Sequence, residues 1–195
     1  PEIISGSNIF KEGETVNSFY LPISAGVDPL TGNQLYWVDH DKNSNIVSKY
    51  KTDDVTLTAN SREIVGNRIP DLYGSITNDF SYKGIDFSIL TTYSIGGEML
   101  DGVYGSMMNV GYKGYVWHKN ALRRWQQPGD ITDIPKIMWD QQLRVTDKDL
   151  INASYFAIKN ITLGYTFPKD WLTKIKMDNI RVYATANNLA LFSHL

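Results

Sequence analysis

The side chains best suited to chemistry stand at residues 39–45, where the sequence DHDKNSN alternates oxygen-bearing residues with others. Such alternation begins a calcium loop, since Ca²⁺ takes oxygen ligands. The sixth position of that loop requires Gly but holds Ser44, and the twelfth requires Glu but holds Tyr50. We interpret the stretch as a polar turn and predict no metal site, with calcium binding as the open alternative.

Asp130 and Asp133 come closest to a catalytic pair of carboxylates. A glycoside hydrolase needs two carboxylates that face each other in a cleft. These two lie close to Pro128 and Gly129 in the sequence. Asp residues near Pro and Gly are typical of turns, where the Asp side chain caps the backbone. We therefore interpret both as turn residues.

Two further signals for catalysis or cofactors are weak. Gly96-Gly97 precedes no helix, so it predicts no phosphate cradle. The three histidines have no metal-ligand spacing; they are His40, His118 and His194. We expect no catalytic residue and no cofactor, and an enzyme is the most distant of the functions considered.

Aromatic residues crowd residues 98–152 and are the main candidates for contact with a substrate or a partner. Aromatic faces on a loop can stack on sugar rings or meet another protein, but a long loop also needs aromatic side chains for its own small core. Both roles stay open for the four candidates, which are Trp117, Trp125, Trp139 and Tyr115.

Composition narrows the class of protein. The 195 residues carry a net charge of −2, which gives no support for nucleic-acid binding. Cysteine is absent, so disulfides and thiolate metal sites are excluded. No apolar run approaches the ~18 residues of a membrane helix, but membrane strands alternate apolar and polar residues and give a weak hydropathy signal.

The elements that position these residues begin with a hairpin at about 72–82 and 85–95. Apolar and polar residues alternate on both sides of Lys83-Gly84, and a two-residue loop there places Leu72 opposite Ile95 and Phe80 opposite Phe87. One face is then mostly apolar and the other polar. The strands exceed the ~5–6 residues of ordinary strands and match the ~9–11 residues of membrane-spanning ones.

Two more strands are predicted at about 155–167 and 179–189. On the first, Tyr155, Ala157 and Ile161 share the apolar face, which Lys159 interrupts. The connections alternate between long (1–66 and 98–152) and short (83–84 and 168–178), which is typical of outer-membrane barrels with short periplasmic turns. The long loop 98–152 holds one predicted short helix at 120–125, with Asn120 as its cap.

We therefore predict an all-β fold in which antiparallel strands form part of a large transmembrane β-barrel. Residues 1–66 would be an extracellular loop region with small local strands, and residues 67–195 a barrel segment. The polar wall positions would face the lumen; they are Asp79, Asp86, Arg181 and Tyr183.

Five ordered motifs resemble the C-terminal part of SusC/RagA-type TonB-dependent outer-membrane transporters. No single motif is decisive, but together they cover nearly all of the chain. They are AGVDPLTG at 25–32; RIPDLYGS at 68–75 with FSYKGIDF at 80–87; RWQQPGDITDIP at 124–135; KNITLGY at 159–165; and RVY at 181–183 with NNL at 187–189.

This resemblance implies a segment of a longer transporter, without its signal, plug and remaining strands. It implies the outer membrane of a Gram-negative bacterium and import of an oligosaccharide or a peptide. Its implied partners are a SusD-like surface lipoprotein and the TonB–ExbB–ExbD system, reached through N-terminal parts outside this chain. The alternative is a soluble all-β carbohydrate-binding or adhesion module, which explains the alternation but not the rhythm of the connections.

Overall fold

The structure, a computed structural model, describes residues 2–108, 116–138, 143–173 and 176–193. In these ranges no helix has the length and apolar character needed to cross a membrane. The strands are β1 Glu2–Ser5, β2 Asn8–Lys11, β3 Ser18–Val27, β4 Gln34–His40, β5 Ile46–Thr52, β6 Arg62–Gly66, β7 Leu72–Tyr82, β8 Ile85–Ile95, β9 Glu98–Leu100, β10 Leu150–Asn152, β11 Tyr155–Thr166 and β12 Arg181–Ser193. Strands dominate, and the pairings among β1 to β8, β11 and β12 are antiparallel, so the predicted antiparallel all-β class is confirmed.

The chain divides into two compact units. The loop unit consists of Pro1–Arg68 and Glu98–Ile151, and the strand unit of Ile69–Gly97 and Asn152–Leu195. The two long connections recognised in the sequence thus fall in one unit and the four long strands in the other.

The strand unit is a four-stranded sheet in the order β12-β11-β8-β7. The hairpin β7–β8 has the register predicted from its alternation, with Leu72 opposite Ile95 and Phe80 opposite Phe87. Lys83 and Gly84 both have positive φ, at 48° and 85°, which the primed two-residue turn requires. Because turn and alternation agree, the register has only one solution.

Strand β11 departs from the prediction at Lys159. Its register shifts between Ile158 and Asn160 against both β8 and β12, so Lys159 lies in a β-bulge. An extra residue reverses the side-chain alternation. Tyr155 and Ala157, predicted on the apolar face with Ile161, therefore lie on the polar face, opposite Ser94 and Thr92.

The same bulge moves Phe156 and Ile158 to the apolar face, where Phe156 lies opposite Tyr93. Phe156 also faces Phe192 across β12, with ring centroids 6.3 Å apart. Strand β12 begins two residues later and ends four residues later than predicted. The apolar face is the side of the sheet on which Phe80, Phe87 and Phe156 lie, and we call the opposite side the polar wall.

The loop unit contains two further sheets. In the six-stranded one, β1 to β5 follow one another and β6 pairs with β3; in the two-stranded one, β9 pairs with β10. Every second side chain of β4 faces the core, so Gln34, Tyr36 and Val38 are buried. Tyr36 and Val38 pack with Leu57 in a small apolar cluster.

The predicted loop helix at 120–125 is wrong in type and cap. The segment Lys119–Arg123 is a 3-10 helix, and the side chain of His118 accepts the hydrogen bond from the Asn120 amide. A further helix, α1 at Gly102–Met108, was not predicted, because its two glycines lower helix propensity. A four-residue helix, α2 at Lys169–Leu172, lies between β11 and β12.

Candidate functional site

The four residues predicted to face a lumen share one side of the sheet. Directly paired residues lie on the same face, and Asp79 pairs with Ser88 while Asp86 pairs with Gly164. Gly164 pairs in turn with Tyr183 on β12, two residues beyond Arg181. Alternation therefore places all four on the polar wall. That this wall lines a lumen stays a prediction.

Arg181 and Asp86 form an ion pair across three strands. The Nη2 and Nε atoms of Arg181 donate to the Asp86 carboxylate at 2.5 and 3.2 Å. The pair lies over Gly164 on the intervening strand, where a Cβ atom would come within 2.5 Å of Asp86 Oδ2. The guanidinium also lies 5.1 Å from the ring centroid of Tyr183. Glycine at this position therefore leaves room for two charges to meet over the middle strand.

Neutral polar groups continue the wall toward the bulge. The Asn160 amide donates to Asn187 at 2.7 Å, the Thr162 hydroxyl donates to Asn160 at 3.1 Å, and the hydroxyls of Thr162 and Thr185 lie 3.0 Å apart. The sequence placed Asn160 and Thr162 on the polar side but gave no sign of this ladder, since its partners are on another strand.

Of the four aromatic candidates, Trp125 has an internal role. Its indole N–H donates to the Pro29 carbonyl at 2.9 Å, and its ring covers Gly32, where a Cβ atom would lie 2.5 Å away. Two of the sequence motifs, 25–32 and 124–135, thus meet through one side chain. Trp117 is 41% exposed and offers part of its ring to solvent. Trp139 and Tyr115 lie outside the described residues.

The acidic turn at residues 39–45 is held by its own hydrogen bonds. The carboxylate of Asp41 accepts from the amides of Asn43 and Asn45 and from the Asn45 side chain. A hydrogen bond from Asn45 also lowers the pKa of Asp41, and one from Ser61 lowers that of Asp39. Within the described ranges no three metal-ligating side chains gather at one point. These contacts support the interpretation as a polar turn.

The predicted turn role of the loop carboxylates also has support. Asp130 Oδ2 accepts from the amides of Gln126 and Gln127, at 2.9 and 3.0 Å. Asp133 lies 4.0 Å from Arg123, and its side chain is largely exposed. The bonds to Asp130 are those of a residue that caps the backbone of its turn, as the sequence predicts.

The loop unit holds a cavity that the sequence did not reveal. It measures about 560 Å³, within the ~300–1,000 Å³ of small-ligand sites. It lies between α1, the end of the 124–135 motif and the segment 143–149, and β4 contributes Gln34. Its walls come from stretches up to 115 residues apart, so no local pattern could have predicted it.

Comparison with known proteins shows which proteins this chain is similar to. No protein-family model matches the chain. The curated proteins to which it is similar are TonB-dependent receptors. One, TonB-dependent receptor P3 of Formosa agariphila, is 26% identical over 96% of this chain and 19% of its own length.

A second relative is the TonB-dependent receptor SusC of Bacteroides thetaiotaomicron, 26% identical over 94% of this chain and 17% of SusC. Among solved structures, the RagAB peptide transporter matches 97% of the chain with a TM-score of 0.79 and 28% identity. The RagAB peptide importer in its closed-closed state matches all of it, with a TM-score of 0.84 and 26% identity.

The resemblance inferred from the five motifs is thus confirmed: the chain is similar to a segment of SusC/RagA-type TonB-dependent receptors. It spans about a fifth of their length, 17–21% for the relatives and structures named here.

Proposed function

We propose that this chain is a membrane-spanning segment of a TonB-dependent importer in the outer membrane of a Gram-negative bacterium. The observation that carries the proposal is the two-faced sheet of the strand unit. Its strands have 11, 11, 12 and 13 residues, enough to cross a bilayer when tilted. One face is a polar wall, and the other exposes apolar side chains, each at least half accessible: Leu72, Ile76, Phe80, Leu163, Val182 and Phe192.

Contact with lipid explains why so much apolar surface is exposed. An exposed apolar patch of this extent marks a membrane or protein interface. In the proposed barrel, the apolar face contacts lipid and the polar wall faces the lumen, where the Asp86–Arg181 pair is tolerated. Lys83-Gly84 would then be a periplasmic turn, and residues 1–66 and 98–152 would be exposed at the cell surface.

The proposed whole protein moves its substrate and breaks no bond in it. By analogy with the relatives, it would import an oligosaccharide or a peptide, working with a SusD-like surface lipoprotein. Energy would come from the TonB–ExbB–ExbD system through parts of the protein outside this chain. The similarity to SusC and to RagAB supports this assignment, because both resemblances extend over most of the chain.

Uptake by cells with and without the full-length receptor tests the proposal. The probes are a tryptic digest of casein and the oligosaccharides of partly hydrolysed dextran and starch. We expect at least one class to enter only when the receptor is present, and a protonophore to reduce that entry to background. Receptor-independent uptake of every probe, or uptake that persists without a proton gradient, would contradict the proposal.

A further inference from the structure

We propose that the cavity in the loop unit is a binding subsite for short peptides, an inference that rests on the import function proposed above. A peptide carries a carboxylate, an amine and apolar side chains, which an extended chain separates by ~3.3–3.6 Å per residue. The cavity offers a counterpart to each of these groups, and the described contacts show which of its side chains are available.

Two cations at the cavity lack a carboxylate partner among the described residues. The Lys148 ammonium donates to Gln34 Oε1 at 3.3 Å and to the Asp133 carbonyl at 3.4 Å, and both acceptors are uncharged. The guanidinium of Arg144 forms no ion pair with a described residue. A guanidinium matches a carboxylate in a two-point geometry. Arg144 and Lys148 can therefore receive a peptide carboxylate.

Two carboxylates in the same cavity supply negative charge. Asp101 Oδ1 accepts from the Tyr104 amide and Asp149 Oδ2 from the Thr146 amide, each at 2.8 Å. In the described part of the chain these bonds use one oxygen of each carboxylate, which leaves Oδ2 of Asp101 and Oδ1 of Asp149 for a ligand amine. Charges of both signs in one cavity suit a zwitterion better than a neutral ligand.

The cavity also has apolar surface. Ile134 and Pro135 are buried at its wall, beside Leu100. Tyr104 is the aromatic residue among the described lining residues. Its hydroxyl accepts from Asn120 at 2.9 Å, and its ring lies edge-on to His118. Apolar side chains outnumber aromatic ones in the described lining, which suits the apolar side chains of a peptide.

Gly105 permits a direct test, because it lines the cavity and has open space at its Cβ position. Gly105→Leu would add a branched side chain at the cavity wall and reduce its volume without backbone strain, since Gly105 lies in α1 and leucine is a good helix former. Gly105→Ala is the matched control, which adds one methyl group and leaves the cavity open. Thermal unfolding of each receptor variant would show that both fold.

The experiment measures retention of probes by the purified full-length receptor in detergent, without an energy source. Probes are the casein tryptic digest and the dextran oligosaccharides, quantified by mass spectrometry. We expect a subset of peptides to be retained, Gly105→Leu to reduce their retention at least tenfold, and Gly105→Ala to change it less than twofold. Equal retention by Gly105→Leu, or oligosaccharide retention that Gly105→Leu abolishes, would overturn the proposal.

A charge variant gives a second, independent readout. Arg144→Ala with Lys148→Ala should reduce peptide retention at least tenfold, and amidation of the peptide carboxyl termini should cause a similar loss with the unchanged receptor. Arg124→Ala with Lys119→Ala removes two cations of the loop unit that do not line the cavity and should have little effect. Unchanged peptide retention by the receptor with Arg144→Ala and Lys148→Ala would refute the role of the cavity cations.

Two combinations of results separate the cavity proposal from the import function. Peptide binding that depends on Gly105, together with no uptake in cells, would refute import alone. Uptake that depends on the proton gradient but not on Gly105 would refute the cavity alone.

Discussion

Trp125 joins two motifs through contacts with Gly32 and Pro29, which lie 93 and 96 positions away in the sequence. Its ring covers Gly32, and Gly129 donates its amide to Pro29 at 2.8 Å, beside the bond from the indole. Gly32 has φ of +73°, a conformation that side chains rarely adopt. Both the φ value and the contact with Trp125 therefore require glycine at this position.

Gly32→Ala should destabilise the loop unit more than Gly129→Ala. Both glycines have positive φ, 73° and 99°, so each substitution costs ~1–2 kcal/mol for the left-handed conformation. Only at Gly32 would the new Cβ meet a ring at 2.5 Å; at Gly129 it meets nothing within 4 Å. Denaturant unfolding in detergent, followed by tryptophan fluorescence, measures the difference. Equal decreases in the free energy of unfolding would show that the contact between residue 32 and Trp125 adds no constraint.

Gly164 is the corresponding residue in the sheet, because it leaves room for the Asp86–Arg181 ion pair. The side chains of Asp86 and Arg181 are 36% and 43% exposed, so water weakens their attraction. A double-mutant cycle with Asp86→Ala and Arg181→Ala should still give a small favourable coupling. In a Gly164→Ala background the coupling should vanish, because the new methyl group would occupy the space between the two charges.

The control for that background is Gly102→Ala, which adds a methyl group where nothing lies within 4 Å. It should leave the coupling unchanged. Persistence of the full coupling in Gly164→Ala would show that the pair does not depend on the space above the glycine.

At the scale of elements, the bulge at Lys159 decides which side chains of β11 lie on the apolar face, which we propose contacts lipid. Tyr155 and Phe156 are exposed to similar degrees, 38% and 42%, so they differ mainly in face. In the full-length receptor in a bilayer, a spin label at Phe156→Cys should be more accessible to oxygen. A label at Tyr155→Cys should be more accessible to a water-soluble nickel chelate.

Ile161→Cys and Thr162→Cys are the reference pair on the other side of the bulge, with Ile161 on the apolar face. If Tyr155→Cys behaves like Ile161→Cys, the alternation runs unbroken and the bulge is absent. The chain itself contains no cysteine, so each label reports on one position once any other cysteines of the receptor are removed.

The turn at residues 28–33 should loosen in acid. Hydrogen bonds from the Thr31 hydroxyl and the Leu30 amide lower the pKa of Asp28 below its ordinary value of 3.8. A lowered pKa means that the stabilisation is present above pH 3.8 and is lost as pH falls through the folded-state pKa. The Leu30 amide resonance should titrate with a midpoint below 3.8, and Asp28→Asn should abolish that titration. A midpoint above 3.8 would contradict this account.

The sequence predicts those elements whose constraints are local. The hairpin β7–β8 is one, because a two-residue turn and eleven alternating positions on each side leave one register. The bulge could not be predicted in this way. In the sequence, Lys159 appears only as a charged residue on the predicted apolar face, because the register shift is visible only against strands β8 and β12. The Trp125–Gly32 contact, the Asp86–Arg181 pair and the cavity all join distant segments, which periodicity does not report.

At the scale of the whole molecule, the two units differ in the structural features that they contribute. The strand unit supplies a sheet that is apolar on one face and polar on the other, as a wall between lipid and water requires. The loop unit supplies buried cores, a tryptophan contact between motifs and a cavity with charges of both signs. The similarity to RagAB and SusC extends over both units, since the matches cover 94–100% of the chain.

We propose that the strand unit belongs in a membrane, and sedimentation velocity of the isolated 195-residue chain tests this claim most directly. Without detergent, the exposed apolar face and the unpaired edges of β7 and β12 should cause aggregation, and detergent should keep the chain dispersed. A chain that sediments as a monomer in plain buffer and unfolds cooperatively would contradict the claim and favour a soluble binding module.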